Sequence, residues 1–342
     1  MDTYLYRKNK HVATFTPQGE ATFIDPTSAP YIIQRTHALE AFKRQRESDV
    51  TRTNMRYLRK LMGISARNAR EALDKINGFS LFDTFWYQGA NDGLTWEDVR
   101  LTKNHAFEVA LTGKSWDPSA FTDPRTPEHS NIGSYEKGWK WAAGRWQLYK
   151  AGTPAQLWSE IFATRLLASK GVNVVHYWLE ENWSVCENFI HQDQDMCLEH
   201  YHSFGGEDTE ESTVLGMPFL TPPLIQDLKT MYYCDALLMN FDRHEFNFGF
   251  LTPGRQDAPL TLAPLFDWNL CLFGHQYPRS YTRTADPMIQ GVLKAGIKPP
   301  FHITAEEIKI LYQEIQQETQ LTIEASEAQV VEYVRSSQAL LQ

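Results

Sequence analysis

One run, Met239-Asn240-Phe241-Asp242-Arg243-His244-Glu245-Phe246-Asn247-Phe248-Gly249-Phe250, constrains this chain more than any other stretch. Pro223 to Met239 reads as a long helix with proline at its start, where the missing N–H costs nothing. Phe248 to Leu251 reads as a strand. Between them, Asp242 and Asn247 share a short loop. A further acid, Asp267, ends the apolar stretch Leu262-Ala263-Pro264-Leu265-Phe266. An Asp, an Asn and a second Asp at strand and loop ends are the set that phosphoryl transfer needs. One carboxylate orients or deprotonates an acceptor hydroxyl, and the other two side chains are hard oxygen donors for Mg²⁺. Taken alone, Asp242 and Asn247 also fit loop caps that satisfy backbone N–H groups. Asp267 and an upstream Lys150, in the right order, favour the chemical reading.

The rest of the chain sorts around this run. Helices are expected at Ala38 to Arg46, Asn54 to Met62 and Ala66 to Ile76, the last ended by Asn77-Gly78. Thr95 and Asp98 are spaced to cap another. Tyr4, Tyr6 and Ala21 to Ile24 are short strand candidates. Ser115 to Ser134, rich in Pro, Ser, Asp and Thr, reads as a long loop. Trp139 to Trp141 and Trp146 to Lys150 read as a hairpin turning at Ala143-Gly144. Leu157 to Ser169 reads as an amphipathic helix, Val172 to Tyr177 and Trp183 to Ile190 as strands, and Asp193 to Ser212 as an acidic loop. Thr304 and Glu307 form a capping box for a C-terminal helix. The order is α+β, without βαβ alternation. It divides into a mostly helical extension over 1–100, a β-rich small lobe over 101–190 and a mostly helical large lobe over 191–342.

These residues resemble a family. Asp-Arg-His-x-x-Asn is the catalytic-loop pattern of the phosphoinositide kinases and of the HipA-like kinases, and the longer run is similar to the HipA-like form. Trp146-Gln-Leu-Tyr-Lys150-Ala-Gly-Thr resembles the strand that carries the ATP-binding lysine. Ser159-Glu160 resembles part of the helix after it, and Leu262 to Asp267 the strand that delivers a metal-binding Asp. The resemblance implies a bilobal protein-kinase-like fold and an ATP- and Mg²⁺-dependent Ser/Thr protein kinase, often the toxin of a toxin–antitoxin pair. It assigns Lys150 to the phosphates, Glu160 to orienting Lys150, Asp242 to acid–base catalysis, and Asn247 and Asp267 to Mg²⁺. His244 either steadies the loop or assists catalysis. Glu187 to Ile190, with Glu187 and Phe189 as adenine-side residues, is the expected hinge. GxGxxG is absent. Ser130-Asn131-Ile132-Gly133-Ser134 takes its place as the phosphate loop, and Ser130 and Ser134 are the expected autophosphorylation sites. Lys137 and Lys140 compete with Lys150 for the phosphate role.

Composition narrows the partners. Net charge is −9, which argues against coating nucleic acid. The charge is partitioned: Lys43 to Arg70 holds nine Lys or Arg, while Gly171 to Leu228 holds none and eleven Asp or Glu. The basic run is read either as a solvated helical face or as a docking surface for an acidic partner or for that acidic segment. Four cysteines in no zinc-like spacing are expected to be packed thiols of a cytoplasmic protein. His200 and His202 lack a third ligand for zinc. No apolar run suits a signal peptide or a membrane span. The expected partners are a protein substrate with a Ser or Thr acceptor and an antitoxin. A lipid or small-molecule kinase and a non-catalytic kinase-fold module are the alternatives.

Overall fold

The structure, a computed structural model, describes residues 1–49, 52, 54–65, 67–113, 123, 125–133, 135–254, 259–275 and 286–342. Ser134 and nine other residues of the predicted loop from Ser115 lie outside the described residues.

The first hundred residues are not mostly helical. They hold a four-stranded antiparallel sheet of β1 (Thr3–Arg7), β2 (Lys10–Phe15), β3 (Ala21–Phe23) and β4 (Phe85–Gly89), in the order β3-β2-β1-β4, with short helices between β3 and β4. Leu5, Val12, Ala13 and Phe15 pack on Ile32, Ile33, Phe42 and Phe85, and Cys197 from the large lobe enters the same cluster. β4 escapes a sequence reading because four of its five residues are buried, so the alternation that marks a half-buried strand is missing.

The small lobe is a second antiparallel sheet of β5 (Lys137–Ala142), β6 (Arg145–Lys150), β7 (Tyr177–Glu180) and β8 (Trp183–Glu187), in the order β5-β6-β8-β7. Ala143 and Gly144 both take positive φ between β5 and β6, the geometry of a two-residue hairpin turn. The helix Pro154–Ser169 starts on a capping box of Thr153 and Gln156. Its expected amphipathic face is replaced by burial on nearly every side. Small-lobe strand β7 packs on it, and so does the C-terminal helix Ala305–Thr319.

After β8 the chain passes through Asn188, Phe189 and Ile190 into β9 (Met196–His200), which pairs with β10 (Gly249–Pro253), itself paired with β11 (Thr261–Leu262). The predicted acidic loop therefore contains a strand. The helices Pro222–Leu238, Ala305–Thr319 and Glu327–Leu340 enclose the largest core, with Trp158, Met231, Tyr233, Leu237, Trp268 and Val334 at its centre. All four cysteines are free and buried. Among the described residues no helix is long and apolar enough to cross a membrane.

Candidate active site

A cleft of about 310 Å³ lies where small lobe, large lobe and extension meet, within the usual range for a small-molecule site. Lys150, at the end of β6, turns its Nζ into it. That atom donates to Glu160 Oε1 and to Asp267 Oδ1, both at 2.6 Å. Glu160 sits nearly two turns inside the helix Pro154–Ser169, which the capping box of Thr153 and Gln156 starts. Its other oxygen accepts Ser184 Oγ at 2.6 Å. Lys150, Glu160 and Ser184 are all buried. A charge this deep is tolerated only when paired and hydrogen-bonded.

Burial alone would raise the Asp267 carboxyl, but Lys150 and Lys137 outweigh it and hold it at about 2. Asp267 also stands at φ 63, in the left-handed region, where Asp is better tolerated than most side chains. Burial and the nearby Asp267 charge push Asp242 above the usual carboxylate range. Asn247 Nδ2 donates to the Asp242 backbone oxygen at 2.6 Å and to Asp242 Oδ2 at 3.1 Å. The loop is thereby closed on itself, and Oδ1 remains as the hard oxygen of Asn247. His244 is exposed at the rim, and its Nδ1 accepts Phe246 N–H at 3.2 Å. Asp242, His244, Asn247, Lys150 and Asp267 all line the one cleft.

The loop residues divide. Asn131 and Gly133 line the cleft. Asn131 Nδ2 is committed to Glu128 at 3.1 Å. Gly133 takes φ 106, which a side chain would strain. Ser130 is buried, donates to Pro127 O at 3.1 Å and faces a separate, smaller pocket with Arg46, Asp83 and Glu199. Glu187 and Phe189 line the cleft. Glu187 also pairs with Arg145 at 3.0 Å, and Phe189 stacks on Phe266 with centroids 6.0 Å apart.

Two residues matter more than the sequence reading allowed. Arg243, inside the motif, is buried and bonds the Asp235 carboxylate from Nε and Nη2 at 3.0 Å each. Its Nη1 reaches Asn247 O and, at 2.8 Å, Phe266 O. One guanidinium thus ties the loop of Asp242 to the residue before Asp267. Lys137 is no mere rival to Lys150. The two are cross-strand partners on β5 and β6, and both line the cleft. Burial, with some help from Arg52 and Lys150, lowers Lys137 to about 8 against the pull of Asp267. Lys140, by contrast, lies beside Tyr149 and Glu180, away from the residues that line the cleft.

No protein-family model matches the sequence, and no curated protein does. Solved structures are similar, two among them as follows. HipA of Shewanella oneidensis MR-1, solved with HipB and operator DNA, aligns over 99% of this chain and 96% of its own, with 13% identity and a TM-score of 0.56. The proinflammatory kinase CtkA of Helicobacter pylori matches 60% of this chain and 90% of its own, with 20% identity and a TM-score of 0.45. This chain has the fold of HipA. The HipA alignment runs through the N-terminal sheet as well as both lobes, so the first hundred residues belong to the shared fold.

Proposed function

We propose that the chain is an ATP- and Mg²⁺-dependent Ser/Thr protein kinase of the HipA-like kind. The observation that carries this reading is Lys150, held between Glu160 and Asp267 in the cleft that also presents Asp242 and Asn247. Lys150 binds the nucleotide phosphates, and Glu160 fixes its direction. Asp242, raised in pKa and half-buried, receives the proton of the acceptor hydroxyl as the γ-phosphoryl is transferred. Asp267 and Asn247 suit Mg²⁺, because both offer hard oxygens. Among the described residues no group of three His, Cys, Asp or Glu could hold a metal alone. The remaining oxygens would come from nucleotide phosphates and water, as is usual for this ion. When bound, Mg²⁺ supplies charge neutralisation on the phosphates.

The same reading makes the loop from Ser130 to Ser134 the place of autophosphorylation. Ser130 must first leave its bond to Pro127. By likeness to the Shewanella protein with HipB, an antitoxin-like protein is the proposed partner, and the cytoplasm the proposed compartment.

The test is phosphate transfer from γ-labelled ATP with Mg²⁺, to the chain itself and to a cell extract. Asp242→Ala and Asp267→Ala should each lower incorporation at least about 100-fold with the far-UV spectrum intact. Transfer at the wild-type rate in either variant would overturn the assignment. Mass spectrometry of the wild type should find phosphate on Ser130 or Ser134.

A further inference from the structure

One wall of the cleft comes from neither lobe. Phe82 belongs to the segment between the helix Ala69–Lys75 and β4, yet it lines the same cleft as Lys150 and Asp267. Its backbone is fixed on both sides of the interlobe connection. Phe82 O accepts the N–H of Leu198, in β9, at 2.7 Å. The preceding Leu81 O accepts Asn188 Nδ2 at 2.8 Å, and Asn188 N–H donates to Trp146 O at 2.8 Å. Asn188 lies just before that connection's turn and Leu198 just after it.

The ring is placed as firmly as the backbone. It meets Trp139 of β5 edge-on at 5.7 Å and His200 of β9 at 6.2 Å. It packs against two separate apolar clusters, the tryptophan-rich one of the extension and small lobe and the one formed by Ile190, Leu198 and Ala263. Phe82 remains only partly buried, and it lines both the cleft and the smaller pocket beside it. An aromatic ring held rigidly by its neighbours, and open on one side to a polar-ended cavity, is suited to contact a planar base.

We propose that Phe82 is a base-contacting residue of the nucleotide site, so that the extension contributes directly to nucleotide affinity. This rests on the nucleotide reading of the cleft. A ring that served only to fill the core would affect stability and leave affinity alone. A base contact would affect affinity for nucleotide but not for a probe that lacks a base.

Calorimetric titration of the full chain separates these. MgATP and magnesium tripolyphosphate are titrated into wild type, Phe82→Ala and Phe82→Leu, with thermal unfolding recorded for each. Both variants should bind MgATP about tenfold more weakly and tripolyphosphate as the wild type does. Phe82→Leu keeps the apolar bulk and decides the matter if Phe82→Ala does not fold. A folded Phe82→Leu chain that binds MgATP like wild type overturns the proposal, as does equal loss of both probes. A wild type that binds neither probe defeats the kinase reading itself and this proposal with it, a result visible before any variant is made.

Discussion

That Asp242, Asn247, Asp267, Lys150 and Glu160 come together was legible because residue type and order along the chain carry the information. Arg243 and Ser184 were not, because their roles exist only through partners brought close by folding. Arg243 stands in the motif itself, yet nothing in the motif says that it bridges Asp235 and Phe266. Glu199 is a second case. It reads as one of many acids in a solvated loop, but it is buried in β9, accepting Tyr31 N–H at 2.6 Å and Thr252 Oγ1 at 3.3 Å. Burial chiefly, and Asp83 in part, lifts its carboxyl to about 7, although Arg7 and these hydrogen bonds oppose the rise. The unfolded chain releases this proton near 4.5, so stability present below that pH is lost as pH rises toward 7. A rise from 4.5 to about 7 is worth on the order of 3 kcal/mol. Glu199→Gln should flatten this slope, gaining on wild type between pH 5 and pH 8 in urea unfolding. Parallel pH profiles for the two proteins would show that Glu199 does not titrate in this window.

At the scale of elements, local signals held and non-local ones did not. The capping boxes at Thr95–Asp98 and Thr304–Glu307 are both present, since a cap is written within four residues. β4 and β9 depend on partners distant in sequence, and β9 carries a buried Glu where a core strand would carry an apolar residue. The loop before Gly133 shows how such distant partners act. Glu128, fully buried, accepts Trp139 N–H at 2.7 Å, Asn131 Nδ2 at 3.1 Å and Arg52 Nη2 at 3.2 Å. Arg52 is equally buried and comes from the extension. The pair joins three parts of the chain just before Gly133. Arg52→Ala would strand the Glu128 carboxylate, at a cost of about 3 kcal/mol. Chemical denaturation measures this, and a loss under about 1 kcal/mol would mean that the strut is dispensable.

Over the whole molecule, the partition of charge was visible in the sequence, and its consequence is now specific. Three of the nine basic residues of the run pair within the extension: Lys43 with Asp74 at 2.7 Å, Arg46 with Asp83, and Arg70 with Glu40 and Glu47. The extension does pack on the acidic segment, but through Arg7, Lys8, Tyr31 and Thr84 rather than through the charges of the basic run. Arg7 Nε donates to Asp195 Oδ1 at 3.0 Å, and Nη2 reaches Asp195 O and Thr252 O at 3.2 and 3.3 Å. Thr84 Oγ1 donates to the same carboxylate at 3.0 Å, and Lys8 reaches Asp193 O at 3.2 Å. These contacts differ in exposure, and exposure decides their worth. Arg7 is only 7% exposed and Lys8 is partly open to water. Charge-assisted bonds from a buried guanidinium contribute more than bonds from an exposed ammonium, which water and salt screen. Arg7→Ala should therefore cost about 2 kcal/mol in unfolding free energy and Lys8→Ala less than about 0.5 kcal/mol. Because the same contacts hold the extension against β9 and β10, Arg7→Ala should also hasten cleavage by a dilute protease between the extension and the lobes. If the two variants unfold alike, the extension is held by its apolar cluster around Phe42 and Cys197, and the charge partition is incidental to the fold.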